Sequence, residues 1–262
     1  MSRTILAGVA ATLMSAVPTL AADAFDTPVP FTWSGAYVGV TAGVTMTQAD
    51  VELGTVNGDL LNFDVEQGLF LPTLEDRDID FTIGARAGID MQVGGLTFGV
   101  RGTVEKLGNG SASSHAAIDG NPLPLFNGLD TRSKFTTDMD VVLTAEALVG
   151  YALGRTRAYV TGGVAAAKIT NTFDLDLVPM QPGNLAYSNS FEKEDWRHGY
   201  TVGAGVERAF TDRLSASFEY RYYDFENVTV RAIDPPNFGD NFMDYEFSNR
   251  GHVATLGLNV RF

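Results

Sequence analysis

Cysteine is absent from the 262 residues, histidine occurs three times and tryptophan twice. The first absence removes disulfides and thiolate metal sites. Three histidines leave few candidates for general base chemistry. Basic residues are scarce as well: 18 Lys and Arg face 32 Asp and Glu, a net charge of −14, and so acidic a chain makes a poor nucleic-acid partner. Beyond the N-terminus no apolar run reaches the roughly 18 residues of a membrane-spanning helix.

What is abundant is glycine, 28 residues, with 17 Phe and 9 Tyr. This composition fits an all-β protein rich in turns and aromatics. Residues 1–24 read as a secretory signal: Arg3 supplies the positive end, Ile5 to Val17 the apolar stretch, and Ala22-Asp23-Ala24 the small-residue cleavage pattern, with Thr19-Leu20-Ala21 as a second choice. An N-terminal membrane anchor is the alternative. Removing residues 1–24 takes away one charge of each sign, so the balance stays acidic. Residues 25–32, with Pro28 and Pro30, form a linker expected in the periplasm, and 33–262 the main domain.

That domain alternates with period two, the mark of strands with one oily face. The closing stretch, Gly251 to Phe262, places Ala254, Leu256, Leu258, Val260 and Phe262 on one face and Thr255, Asn259 and Arg261 on the other. A first strand to about Thr47 sets Val38, Val40, Ala42, Val44 and Met46 against Tyr37, Gly39, Thr41, Gly43 and Thr45. Further strands are expected over 78–91, 96–107, 136–151, from 157 onward, 196–210 and 214–225. In the fifth, Ile169, Phe173, Leu175 and Leu177 fall on the opposite parity from Ala158, Val160 and Val164, which predicts a bulge near Lys168 or a projecting ribbon. Residues 48–77, 108–135, 178–195 and 226–246 read as long loops, and Val93-Gly94-Gly95, Leu153 to Thr156 and Thr211-Asp212-Arg213 as short turns.

Eight strands whose connections alternate long and short predict an eight-stranded antiparallel up-and-down transmembrane β-barrel with short periplasmic turns and long extracellular loops. Aromatic girdles are expected from Trp33, Tyr151, Phe210 and Phe262 at one rim and Trp196, Phe225 and Phe247 at the other. The alternative is a soluble barrel with the oily face inward, but the polar face here is full of Gly and Thr, as a crowded interior requires.

The segments Trp33-Ser34-Gly35-Ala36-Tyr37-Val38-Gly39-Val40, Tyr159 to Ala165 and Tyr200 to Glu207, with the ending in Phe262, resemble the porin-family outer-membrane β-barrel proteins of alphaproteobacteria, relatives of the OmpA transmembrane domain. The resemblance implies an outer-membrane location and a C-terminal strand (Leu256, Leu258, Val260, Phe262) read by the barrel-assembly machinery. It implies no defined activity, since such proteins serve as structural surface proteins, small pores or adhesion factors.

On the polar face, Arg86, Arg101, Arg221 and Arg261 accompany Glu105, Glu146, Glu207 and Glu219. Unpaired charge in a narrow interior is costly, so this set predicts an ion-pair network that either plugs the barrel or, by rearranging Arg86, Arg101, Glu146 and Glu219, gates a thin ion path. For catalysis, His252 lacks a serine two residues on, His115 sits among Ser111, Ser113 and Ser114 in loop-like sequence, and Asp195 with His198 is the nearest approach to a carboxylate–histidine pair. No catalytic, metal or cofactor site is expected: Asp234, Asp240, Asp244 and Glu246 are too loosely spaced for a calcium loop. Phe238, Phe242, Tyr245 and Phe247 suggest a binding face. Expected partners are outer-membrane lipid and lipopolysaccharide, the assembly machinery, and a host surface molecule or phage. A structural and surface role is expected, with a narrow channel or an adhesion protein as alternatives.

Overall fold

A computed structural model describes residues 31–66, 73–107, 109–117, 129–179, 187–233 and 242–262; residues 1–30, with the expected signal and most of the linker, lie outside the described residues. In chain order the elements are β1 (Gly35–Asn57), the helix α1 (Asp59–Glu66), β2 (Thr73–Val93), β3 (Leu96–Lys106), β4 (Asn109–Ala117), β5 (Leu129–Leu153), β6 (Thr156–Pro179), β7 (Tyr187–Ala209), β8 (Leu214–Ile233) and β9 (Phe242–Arg261). The ladders run β3-β2-β1-β9-β8-β7-β6-β5-β4, all antiparallel, and a further β3–β5 ladder closes the sheet on itself. Because β4 continues the course of β3 along β5, the nine segments make a ring of eight strands. The junction is matched by a bulge on β5, where Asp140 is the extra residue between Met139 and Val141.

The faces are inverted relative to a soluble barrel. Val40, Phe81, Ile83, Val164, Leu256 and Phe262 are 59–77% exposed, while Thr41, Arg86, Arg101, Glu146, Glu207 and Arg221 are buried inside. An apolar wall around a polar interior is stable only where the wall meets lipid. Close packing inside explains the glycines: the Tyr37 ring lies where a Cβ on Gly88 would stand, 2.7 Å from it, and the Tyr159 ring does the same at Gly205, 2.6 Å. The tight turns at Gly94 and Gly154 have φ of 61° and 60°, the left-handed region that two-residue hairpins require.

The strands run well past the expected ends. Parts of 48–77, 108–135, 178–195 and 226–246, read above as loops, extend β1, β2, β4, β5, β6, β7, β8 and β9, and 59–66 is helical. The physical reason is that the alternation reverses sign. In the upper half the apolar residues point inward and the charged ones outward: Met243, Tyr245 and Phe247 are buried, whereas Glu246 and Arg250 are exposed. The same reversal explains the phase change in β6. Ala165, Ala167, Ile169 and Phe173 share the inward parity of Arg157 and Tyr159, and the β6–β7 register runs unbroken from Thr156↔Arg208 to Leu177↔Tyr187, so β6 has no extra residue of its own; the bulge opposite Lys168 is that of Asp140 on β5, and the projecting ribbon is the alternative that accounts for the phase change. The bulge on β5 turns Met139, expected on the outer face, inward.

Above the belt the ring divides. The β2–β3 ladder ends at Ile83↔Lys106 and the β7–β8 ladder at Gly199↔Phe225. Beyond these points β2–β1–β9–β8 and β4–β5–β6–β7 form two four-stranded sheets, and Phe173 of the second meets Tyr245 of the first with ring centroids 5.5 Å apart.

The girdle expectation holds only in part. Tyr151, Trp196, Phe210 and Phe262 face outward, but Trp33, Phe225 and Phe247 are buried inside at 0–2% exposure. Phe225 and Phe247 lie above the reversal, and Trp33 precedes the first strand and folds back under the barrel. Tyr245 and Phe247 are likewise interior, so they offer no outer binding face.

Candidate functional site

The interior is layered. At the end bearing the short turns, Trp33 closes the barrel with Ala152 and Ala209, and Phe31 packs edge-on against it, centroids 5.0 Å apart. The indole Nε1 donates to the Gly154 carbonyl at 3.1 Å, and the Trp33 amide donates to Gln92 Oε1 at 2.9 Å. Two guanidinium groups lie over the indole: Arg157 at 4.6 Å from the ring centroid and Arg261 at 5.3 Å. Arg261 also donates to the Trp33 carbonyl. Both arginines reach Asp90 Oδ2, at 2.8 Å from Arg157 and 2.9 Å from Arg261. Glu207 takes Arg157 at 2.7 Å, Ser215 at 2.5 Å and Asn259 at 2.7 Å.

Asn259 joins this layer to the next, since its Oδ1 accepts from Arg86 Nε at 2.9 Å. The hub there is Glu219. Arg101 donates to both of its oxygens at 2.6 and 2.7 Å, Tyr159 donates at 2.7 Å, and Arg221 and Arg86 stand 2.9 and 3.6 Å away. Arg101 also binds Glu146 at 2.9 Å. Arg221 binds Glu105 at 2.7 Å, and the Tyr223 hydroxyl donates to the same carboxylate. Five arginines thus meet five carboxylates in one connected network, every member 6% exposed or less. The equal count matters because a buried charge without a partner would cost several kcal/mol.

A third layer is apolar: Leu107, Met139, Val142, Ala165, Ala167, Ile169, Phe225 and Val253 fill the cross-section above the charges. Together the layers leave the charged groups enclosed between an indole on one side and aliphatic and aromatic carbon on the other.

All eight charged residues singled out from the sequence occupy this interior, and Arg86, Arg101, Glu146 and Glu219 are in mutual contact through Glu219 and Arg101. Arg157 and Asp90 belong to the network as well and were missed. Asp90 was already on the polar parity of its strand, and Arg157 shares parity with Tyr159 and Thr161; parity alone would have found both. Of the residues considered for catalysis, Asp195, His198 and His252 do not converge, and the side chains of His115, Ser111, Ser113 and Ser114 lie outside those described. Asp195 pairs with Arg197 at 3.4 Å and caps the Trp196 amide, while His198, three positions on in a strand, projects to the opposite face. His252 faces outward, its Nδ1 2.6 Å from the Tyr220 hydroxyl. Among the described residues no group of three or more His, Cys, Asp or Glu is arranged to hold a metal ion.

Residues 7–262 match the model of the outer membrane protein beta-barrel domain. The 31 kDa outer-membrane immunogenic protein of Brucella melitensis biotype 1 is 26% identical over 273 residues, covering 100% of both chains. The 25 kDa outer-membrane immunogenic protein of the same organism is 26% identical, over 87% of this chain and 91% of that one. Among solved structures, the outer membrane protein OprG of Pseudomonas aeruginosa aligns with a TM-score of 0.50 at 13% identity, over 87% of this chain and 96% of that chain, a likeness of fold. The location in the outer membrane follows from these relatives together with the apolar wall, and the chain belongs to the outer membrane protein beta-barrel domain family.

Proposed function

We propose that this barrel is a structural and surface protein of the outer membrane, without catalysis and without a pore wide enough for sugars, and that it presents its extended upper sheets outside the cell. One observation carries the reading: the lumen is occupied by a charge-balanced network of Asp90, Glu105, Glu146, Glu207 and Glu219 with five arginines, with Trp33 beneath it and an apolar layer above. An eight-stranded ring has an interior that side chains just fill. The dispersal of Asp195, His198 and His252 supports the absence of catalysis. The relatives' description as immunogenic supports the surface reading, and the ring of eight strands supports kinship with the OmpA transmembrane domain. Leu256, Leu258 and Val260 on β9 and Phe262 just after it, all outward, suit recognition by the assembly machinery.

The test is uptake by liposomes carrying the pure protein. No sugar uptake is expected, and robust swelling in sugar solutions would overturn the proposal. A second reading, a narrow ion channel gated by Arg86, Arg101, Glu146 and Glu219, is favoured by the sharing of Arg101 between Glu146 and Glu219. Stepwise conductance in planar bilayers, altered by Glu146→Gln or Arg101→Gln, would establish it.

A further inference from the structure

The outer wall is not uniform at the height where the apolar belt ends. On β7, β8 and β9 the outward side chains there are Tyr200, Tyr220, Tyr222, Asp224, Arg250 and His252. They are organised among themselves. Tyr200 and Tyr222 both donate to Asp224 Oδ2, at 2.9 and 3.1 Å, and Tyr220 is hydrogen-bonded to His252 Nδ1 at 2.6 Å. The imidazole packs against Tyr222 and Tyr220, centroids 5.1 and 6.0 Å apart. Arg250 stands opposite Asp224 in the ladder. The Tyr200 and Tyr220 rings remain 50% and 47% exposed. Along the His252 rung the neighbours are Met46 and then Ile79, hydrocarbon only, while one rung higher Arg250 faces Gln48 and stands 3.9 Å from Asp50 of β1.

We propose that this patch binds the saccharide headgroup of an outer-leaflet glycolipid. An interfacial belt needs only amphipathic rings pointing at the headgroup level. It does not need a carboxylate held by two tyrosine hydroxyls, an imidazole locked by a third, and a guanidinium beside them. Fixed aromatic faces beside a few oriented polar groups are what a pyranose requires: its C–H face stacks on the rings while its hydroxyls exchange hydrogen bonds with Asp224, His252 and Arg250. The position fits, because Ala254, Leu256 and Val202 below the patch meet acyl chains and the exposed Glu194, Glu226 and Glu246 above it meet water. A headgroup is the part of a lipid found between those two zones. The inference rests on the short turns facing the periplasm.

The test uses the full chain folded in detergent micelles, titrated with purified lipopolysaccharide, with phosphatidylglycerol, and with the free glucosamine disaccharide of the lipid headgroup. Lipopolysaccharide is expected to bind at least tenfold more tightly than phosphatidylglycerol, and the free disaccharide to compete for the site. The double variant Tyr222→Phe with Asp224→Asn, which keeps the rings, is expected to weaken lipopolysaccharide binding about tenfold; Met46→Ala on the neighbouring wall is not. Should the double variant fail to fold, as read by heat-modifiable migration on a gel, His252→Phe serves in its place with the same expected loss. Equal binding of the two lipids, indifference to these substitutions, or no competition by the disaccharide would each overturn the proposal. Protease shaving of intact cells, which cuts the extension only if it lies outside, tests the orientation separately.

Discussion

Glu219 is the residue on which the lumen depends most, because its two oxygens serve Arg86, Arg101, Arg221 and Tyr159 at once. Glu219→Ala leaves three buried guanidinium groups short of a counter-charge, and removing one partner of such a set costs about 3–5 kcal/mol. Urea unfolding in lipid vesicles, followed by tryptophan fluorescence, should show that loss. Asp212→Ala is the contrast: its pair with Arg155 is as short, 2.5 Å, but 77% and 45% exposed, so a change under about 1 kcal/mol is expected. At this scale the sequence was informative wherever a residue sat within a regular strand, since parity alone assigns Arg86, Glu105 or Arg261 to the interior. Trp33 was not legible. It lies in the irregular segment before β1, where no period tells inside from outside, and only the fold brings Gly154 and Gln92 to its ring and amide.

Each long strand carries two opposite amphipathic codes joined end to end. On β6 the outward residues Ala158, Val160 and Val164 belong to the lipid code, and the inward Ala167, Ile169 and Phe173 to the code of a sheet whose far side is water. A search for one code ends each strand at the crossover, which is why the four projecting pairs of strands looked like loops. The Val228-Thr229-Val230 and Met243-Asp244-Tyr245 alternations were in plain view, but with the sign reversed. Phe173 joins the two upper sheets through Tyr245 and stacks on Phe191, centroids 6.3 Å apart. Phe173→Ala is expected to cost about 3–5 kcal/mol of local stability. Hydrogen exchange should quicken over 169–178 and 243–249 while the belt below Gly199 stays protected; uniform loss of protection would show that the two halves unfold as one.

For the molecule as a whole, closure is the dominant fact. A ring of antiparallel strands leaves no unpaired edge within the membrane, where each orphaned backbone group would cost several kcal/mol. The expected number of strands, their order and the inside and outside of the belt were all readable, because lipid on one side and a crowded lumen on the other impose one strict alternation. The division of the ring above Ile83 and Gly199 was not, since no residue pattern on β2, β3, β7 or β8 marks where their ladders stop. Deleting Phe262, whose amide donates to the Ala36 carbonyl at 2.9 Å and whose ring is 77% exposed, is expected to lower the amount of folded protein in the outer membrane. The ratio of heat-modifiable to unfolded bands on a gel measures it, and normal assembly would count against a role for this residue in recognition.

The ladder between β1 and β9 joins Tyr37 to Arg261, near the two ends of the described chain. Consequently β1 has no partner on one side until translation and export have delivered β9. A chain cut short before β9 cannot settle into a smaller version of the same object, because β9 supplies the guanidinium that holds the Trp33 carbonyl and the backbone partners along one edge of β1. The ring therefore registers synthesis at least as far as Arg261: a copy that has closed contains β9, and a product lacking it leaves one edge of β1 unpaired.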